Sequence, residues 1–149
     1  LPGMAGGSAW RFDTAAQWGC GLSFFGPRSL ARTPAPDKTT DLDGYTTLVI
    51  EATATKGKRV EVFLDEAGAA EGDNSAGDDG ESFRFPIQTT TGERQTWRFD
   101  LASALARETW GNQAGARRLD MQAMKGVALY LSGGQGAGEI VVHSIRLER

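Results

Sequence analysis

Residues 59–65 read Arg59-Val-Glu-Val-Phe-Leu-Asp65, with Val60, Val62 and Leu64 in one register and Glu61, Phe63 and Asp65 in the other. Successive side chains of an extended strand point to opposite faces of its sheet, so this period of two describes a strand with one apolar face against a core. The same alternation recurs three times. Phe83, Phe85 and Ile87 alternate with Ser82, Arg84 and Gln88; Trp97, Phe99 and Leu101 with Thr96, Arg98 and Asp100; Val127, Leu129 and Leu131 with Ala128, Tyr130 and Ser132. Each apolar set is assigned to the core, which makes Trp97 structural. The opposite sets contribute Phe63, Arg84, Gln88, Arg98 and Tyr130. Where these strands neighbour one another, those side chains make a mixed aromatic and hydrogen-bonding surface, a candidate binding face.

Working outward, further short runs at residues 10–13, 21–25, 46–54 and 139–147 join those at 59–65, 82–89, 95–101 and 125–132. Eight short strands between turn residues predict an all-β sandwich. The 20 glycines agree with many turns rather than long helices. With 149 residues, 40% hydrophobic and 23% charged, the chain suits one ordered globular domain. Residues 1–8, Leu1-Pro-Gly-Met-Ala-Gly-Gly-Ser8, are read as a linker or vector scar, and residues 9–149 as the domain. Two connections stand out. The acid- and glycine-rich stretch between Asp65 and Glu81 is a long loop, a common place for function. Residues 102–122 are expected to make a short helical turn and then a polar loop carrying Trp110. Gly133-Gly-Gln-Gly-Ala-Gly138 has the look of a hairpin turn.

Several chemistries are excluded. Sixteen Lys and Arg against 19 Asp and Glu leave a net charge of −3, so no general field favours a nucleic acid. The longest apolar run, residues 126–131, is far too short to cross a bilayer, and no leader-type apolar segment opens the sequence; neither a membrane protein nor an intact precursor is expected. Cys20 is alone, which excludes an internal disulfide and a Cys/His zinc pattern; a small buried side chain is its expected role. His143, the one histidine, sits inside a strand, and no Gly-x-Ser-x-Gly elbow surrounds any serine, so nucleophilic catalysis is not expected. No glycine-rich turn carries the lysine a phosphate loop needs. Glycosidase chemistry needs only two suitably spaced carboxylates and stays open on composition, as does a protein–protein adaptor of the same form.

A site for neutral sugars needs other equipment. A pyranose ring has apolar C–H faces that lie on an aromatic ring, while carboxylates, amides and guanidinium groups bond its equatorial hydroxyls. The outward set above, with Trp110, Arg107 and Asp79 on the bordering loops, supplies those groups.

In these residues the chain resembles the β-sandwich carbohydrate-binding modules attached to bacterial endoglucanases and mixed-linkage β-glucanases. The resemblance covers nearly everything after Trp10. It is carried by Trp10-Arg-Phe-Asp13 with Trp18-Gly19, Asp43-Gly-Tyr-Thr-Thr-Leu-Val-Ile50, Gly77-Asp-Asp-Gly-Glu-Ser-Phe-Arg-Phe85, Gln95-Thr-Trp-Arg-Phe-Asp100, Met124-Lys-Gly-Val-Ala-Leu-Tyr130 and Gly138-Glu-Ile-Val-Val-His-Ser-Ile-Arg-Leu147. It implies a jelly roll of two antiparallel sheets whose concave face holds one chain of β-1,4- or mixed-linkage β-glucan, or xyloglucan. It further implies a non-catalytic, secreted role that keeps an attached glycoside hydrolase near plant cell-wall polysaccharide. On this resemblance Asp79 accepts sugar hydroxyls, Arg107 and Trp110 form an arginine–aromatic pair, and Tyr130 and Trp18 stack on the ligand. Arg84, Gln88, Arg98 and Phe63 are added by strand parity. An open cleft leaves much of a polymer wet, so the expected affinity is micromolar to millimolar, roughly −8 to −4 kcal/mol. The family's structural calcium would involve Asp13, but the acid of the last strand is replaced by His143-Ser144, which weakens an all-oxygen site.

Overall fold

The computed structural model describes residues 8–12, 20–24, 42–66, 81–111, 118–119, 121–122, 124–131 and 137–149; for residues 8–12, 20–24, 81, 107–111 and 125 the description covers the backbone. Ten strands are present there: β1 (Ser8–Phe12), β2 (Cys20–Phe24), β3 (Thr47–Ala54), β4 (Arg59–Glu66), β5 (Glu81–Arg84), β6 (Gln88–Thr89), β7 (Arg94–Asp100), β8 (Leu105–Gly111), β9 (Met124–Leu131) and β10 (Gly138–Glu148). Every pairing among them is antiparallel. A four-stranded sheet runs β1-β10-β3-β7, and a second runs β2-β9-β4-β5-β8 with β6 also on β4. The chain passes repeatedly from one sheet to the other, as in a jelly roll.

The alternation read in the sequence is what closes this sandwich. Leu48, Ile50, Ala52, Trp97, Phe99, Ile140, Val142 and Ile145 from the first sheet meet Val60, Val62, Leu64, Phe83, Val127, Leu129 and Leu131 from the second in one buried core. Phe85 reaches across to Phe99 with ring centroids 4.9 Å apart. Trp97 is part of this core, as its parity required; its indole Nε1 has no hydrogen-bond partner among the described residues.

Four local readings are corrected. Residues 105–111 form a strand, not a polar loop: after Asp100, whose carboxylate accepts the Ala102 N–H at 2.9 Å, only residues 101–103 make a 3₁₀ turn. Ala104 then turns extended, and β8 pairs with β5, so tertiary pairing overrides the helix preference of Leu, Ala, Arg and Glu there. The run 82–89 is broken at Pro86 into β5 and β6, which leaves Ile87 exposed instead of in the core. β9 and β10, which flank the glycine run, belong to different sheets and do not pair as a hairpin; residues 133–136 themselves lie outside the described residues. Ser8 already pairs with Val142, so β1 starts before Trp10.

A buried threonine fastens the turn between β3 and β4, where Gly57 has φ +76°. Thr90 Oγ1 accepts the Lys58 N–H at 2.8 Å and donates to the Thr55 carbonyl at 2.6 Å. Thr90→Val keeps the shape and strands both backbone groups. It is expected to cost about 1–3 kcal/mol, read from urea unfolding, because an unsatisfied buried polar group loses its full desolvation energy.

Candidate functional site

Strand β4 lies inside the second sheet, flanked by β9 and β5. Its core-facing residues are Val60, Val62 and Leu64, so Glu61, Phe63 and Asp65 project from the outer face. Register places Tyr130 opposite Glu61, Ala128 opposite Phe63 and Gly126 opposite Asp65 on β9. On the other flank Arg84 stands opposite Phe63, Ser82 opposite Asp65, and Leu105 of β8 opposite Arg84. One face therefore carries a tyrosine, a phenylalanine, two acids and an arginine, with the small Ala128 and Gly126 beside them.

The two aromatic rings have different duties. Phe63 is 5% exposed although it points away from the core, and its ring meets Tyr130 edge-on, with centroids 5.5 Å apart and planes at 78°. Tyr130 is 40% exposed. The quadrupoles of aromatic rings favour this T-shaped contact, so Phe63 braces Tyr130 and Tyr130 presents the open surface. Beyond Phe63, Asp65 Oδ1 accepts the Ser82 hydroxyl at 2.7 Å, which orients the carboxylate on the face. Arg84 is exposed, and Leu105, 62% exposed, forms an apolar rim past it.

The sequence candidates sort as follows. Phe63, Arg84 and Tyr130 come together on this face. Arg107 and Trp110 lie in β8, at the edge of the same sheet, and their side chains are outside the described residues. Asp79, Trp18 and Asp13 lie outside them altogether. Gln88 does not join the face: it pairs with the core residue Val60, one step out of phase with Arg84 after the break at Pro86, and its Nε2 donates to the Pro86 carbonyl at 2.9 Å. Arg98 does not join it either, because β7 belongs to the other sheet. Glu61 and Asp65 join the face without being among the sequence candidates; their period-two spacing around Phe63 is the signal that marks them.

On the outer face of the first sheet, Arg98 closes a charged ladder. Arg94 bonds Glu51 at 2.5 Å, Arg98 bonds Glu148 at 2.5 Å, and Arg146 reaches Glu148 at 3.1 Å and Glu51 at 3.9 Å. The hydrogen bond from Arg94 holds the Glu51 carboxyl below the usual value, and that from Arg98 does the same for Glu148. A carboxyl with a folded pKa below its unfolded one stabilises above the unfolded value, about 4.3 for Glu, and that stability is lost as pH falls through the folded value. Melting temperature should accordingly drop on acidification below about pH 4.3, and Glu148→Gln should flatten the drop. High salt should shrink the difference, since these are solvated pairs.

His143 is a half-buried strand residue whose Nε2 lies 2.9 Å from Thr53 Oγ1. Among the described residues no three His, Cys, Asp or Glu side chains gather as metal ligands, and Asp13, the residue expected to hold calcium, lies outside them. Among them, too, no helix is long and apolar enough to cross a membrane. Cys20 sits opposite Leu131 in the β2–β9 register.

No family model and no curated protein matches the sequence. Solved structures do match the fold. A family 11 carbohydrate-binding module of the cellulosomal cellulase Lic26A-Cel5E of Clostridium thermocellum superposes with a TM-score of 0.58 at 11% identity, over 98% of this chain and 84% of that one. A family 11 module from the same organism, in complex with a β-1,3-1,4-mixed-linked tetrasaccharide, superposes with a TM-score of 0.60 at 13% identity, over 98% and 85%. The solution structure of CtCBM11 gives 0.51 at 15% identity. At these identities the likeness establishes a common β-sandwich fold.

Proposed function

We propose that the chain is a non-catalytic carbohydrate-binding module and that the outer face of the β2-β9-β4-β5-β8 sheet holds one strand of neutral β-1,4- or mixed-linkage β-glucan. The observation that carries this reading is the half-exposed Tyr130 ring, braced edge-on by Phe63, on a face that also sets Glu61 opposite Tyr130, Arg84 opposite Phe63 and Asp65 further along β4. An open aromatic surface for the C–H face of a sugar, with ionic hydrogen-bonding groups beside it on β4 and β5, fits an uncharged, hydroxyl-rich polymer. The shared fold with modules of which one is described with a mixed-linked tetrasaccharide supports the ligand class. In a longer protein such a module would raise the local concentration of polysaccharide around an attached glycoside hydrolase outside the cell.

Geometry weighs against a hydrolytic role for the two acids on this face. Glu61 and Asp65 are four residues apart on one strand, about 13 Å along its axis. Glycosidase carboxyl pairs stand about 5–9.5 Å apart.

Titration with a β-1,3-1,4-linked tetrasaccharide, followed by calorimetry, tests the proposal. A Kd between about 1 μM and 1 mM is expected, with no new reducing ends after incubation with barley β-glucan. Absence of binding to any β-glucan would overturn the reading, and turnover would replace it with an enzyme. Arg84→Ala should weaken binding about tenfold, or about 1.4 kcal/mol, by removing ionic hydrogen bonds to hydroxyls. Its melting temperature should stay near that of the parent, because Arg84 is exposed.

A further inference from the structure

A second concavity lies away from Tyr130, at the end of the sandwich where the chain crosses between sheets. It has a volume of about 440 Å³ and is lined by Tyr45 and Thr46 ahead of β3, by Asp100 at the end of β7, by residues 101–102 and Ala104 between β7 and β8, and by Arg118, Leu119 and Met121 ahead of β9. None of Glu61, Phe63, Arg84 or Tyr130 borders it.

Its walls are tied together by backbone bonds. Leu101 N–H donates to the Thr46 carbonyl at 2.9 Å, Leu42 N–H to Met121 at 2.7 Å, Tyr45 N–H to Leu42 at 3.2 Å, and Thr46 N–H to Glu148 at 2.8 Å. Three segments distant in sequence are thus tied by backbone bonds around one opening. Its volume falls at the lower end of the range for small-ligand pockets, about 300–1,000 Å³, too small for a long polymer segment.

The chemistry of the lining is divided. Leu119, Met121 and Ala104 offer apolar surface, and Tyr45 adds a partly buried ring held by the Arg149 guanidinium, 5.4 Å from its centroid. Against these stand Thr46, Asp100 and Arg118. Asp100 uses Oδ1 for the Ala102 N–H, and among the described residues its Oδ2 and the Arg118 guanidinium have no hydrogen-bond partner. One acid and one base give no net charge to attract an ion, yet both reach for hydroxyls while the apolar wall suits C–H groups.

We infer that this pocket is a second ligand site, separate from the Tyr130 face, which takes a single neutral pyranose unit or the terminal unit of a glycan. The site binds the sugar by its hydroxyls at Asp100, Arg118 and Thr46 and by its apolar face at Tyr45, Leu119 and Met121.

The test is an amide-resolved NMR titration of the full chain with methyl β-D-glucoside, in the parent and in Tyr130→Ala. Amide shifts at Tyr45, Thr46, Ala102 and Ala104 that saturate with a Kd of about 1 mM or weaker, and persist in Tyr130→Ala, are expected. Asp100→Asn keeps a carbonyl oxygen to cap Ala102 and removes the anionic acceptor; combined with Arg118→Ala it should abolish saturation, and Ala104→Trp should block the pocket sterically. If Ala104→Trp fails to fold, the double variant decides alone. Absence of shifts at those four amides, undiminished shifts in the double variant, or equal response to free leucine in place of the sugar would overturn the assignment. Loss of the shifts in Tyr130→Ala would show that the pocket has no ligand of its own.

Discussion

Tyr130→Ala should weaken binding of a β-1,3-1,4-linked tetrasaccharide about 30-fold, which corresponds to about 2 kcal/mol and places Tyr130 among the residues that dominate an interface. The expectation rests on position. Tyr130 is 40% exposed on the outer face, while the ring beneath it, Phe63, is 5% exposed and cannot offer comparable area to a ligand. Removal of Tyr130 deletes the stacking surface and leaves Glu61, Arg84 and Asp65 in place. Tyr130→Phe separates ring from hydroxyl: it should retain most of the affinity if stacking carries the contact. The fold should survive both changes, since the edge-on contact with Phe63 is worth about 0.5–1.5 kcal/mol. Calorimetric titration beside thermal melting reads the two effects separately. Unchanged affinity in Tyr130→Ala would remove this face from the binding role.

The largest stability effect is expected at Phe83→Ala. Phe83 is 1% exposed, on β5, in the core where the sheets meet. Truncation of a fully buried aromatic side chain loses its transfer energy and leaves a cavity, about 3–5 kcal/mol in sum. Against a total stability of about 5–15 kcal/mol, that is a third or more of what a modest domain has. Urea unfolding should show the midpoint moved far to lower denaturant with little change in slope. A shift below 1 kcal/mol would mean that neighbouring side chains collapse into the space. The contrast with Tyr130 follows from strand parity, since one side chain faces the opposite sheet and the other faces solvent.

Much of the fold was legible because a period of two is a local property. Val60, Val62 and Leu64 needed nothing beyond their own strand to declare which side meets the core, and the same holds for Trp97 and Phe99. Where local preference and tertiary pairing disagreed, the local reading failed. Leu105, Ala106, Arg107 and Glu108 favour a helix, yet β8 pairs with β5 and sets the half-buried Ala106 opposite Phe83. Pro86 shifted the phase of Gln88, because a strand interrupted at a proline resumes without obligation to its former register.

By itself, then, the amino-acid order determined the faces: which side chains of 59–65, 95–100 and 127–131 point inward, and that Phe63, Arg84 and Tyr130 point outward. Only the tertiary structure decided the company these residues keep. It set Glu61 across from Tyr130 and Arg84 across from Phe63, and it sent Arg98 to Glu148 on the far sheet. The physical reason is that alternation is imposed on each strand by its backbone geometry and the water around it. The neighbour of a strand is chosen by long-range pairing and by the burial of both sheets at once, and no single segment encodes that choice.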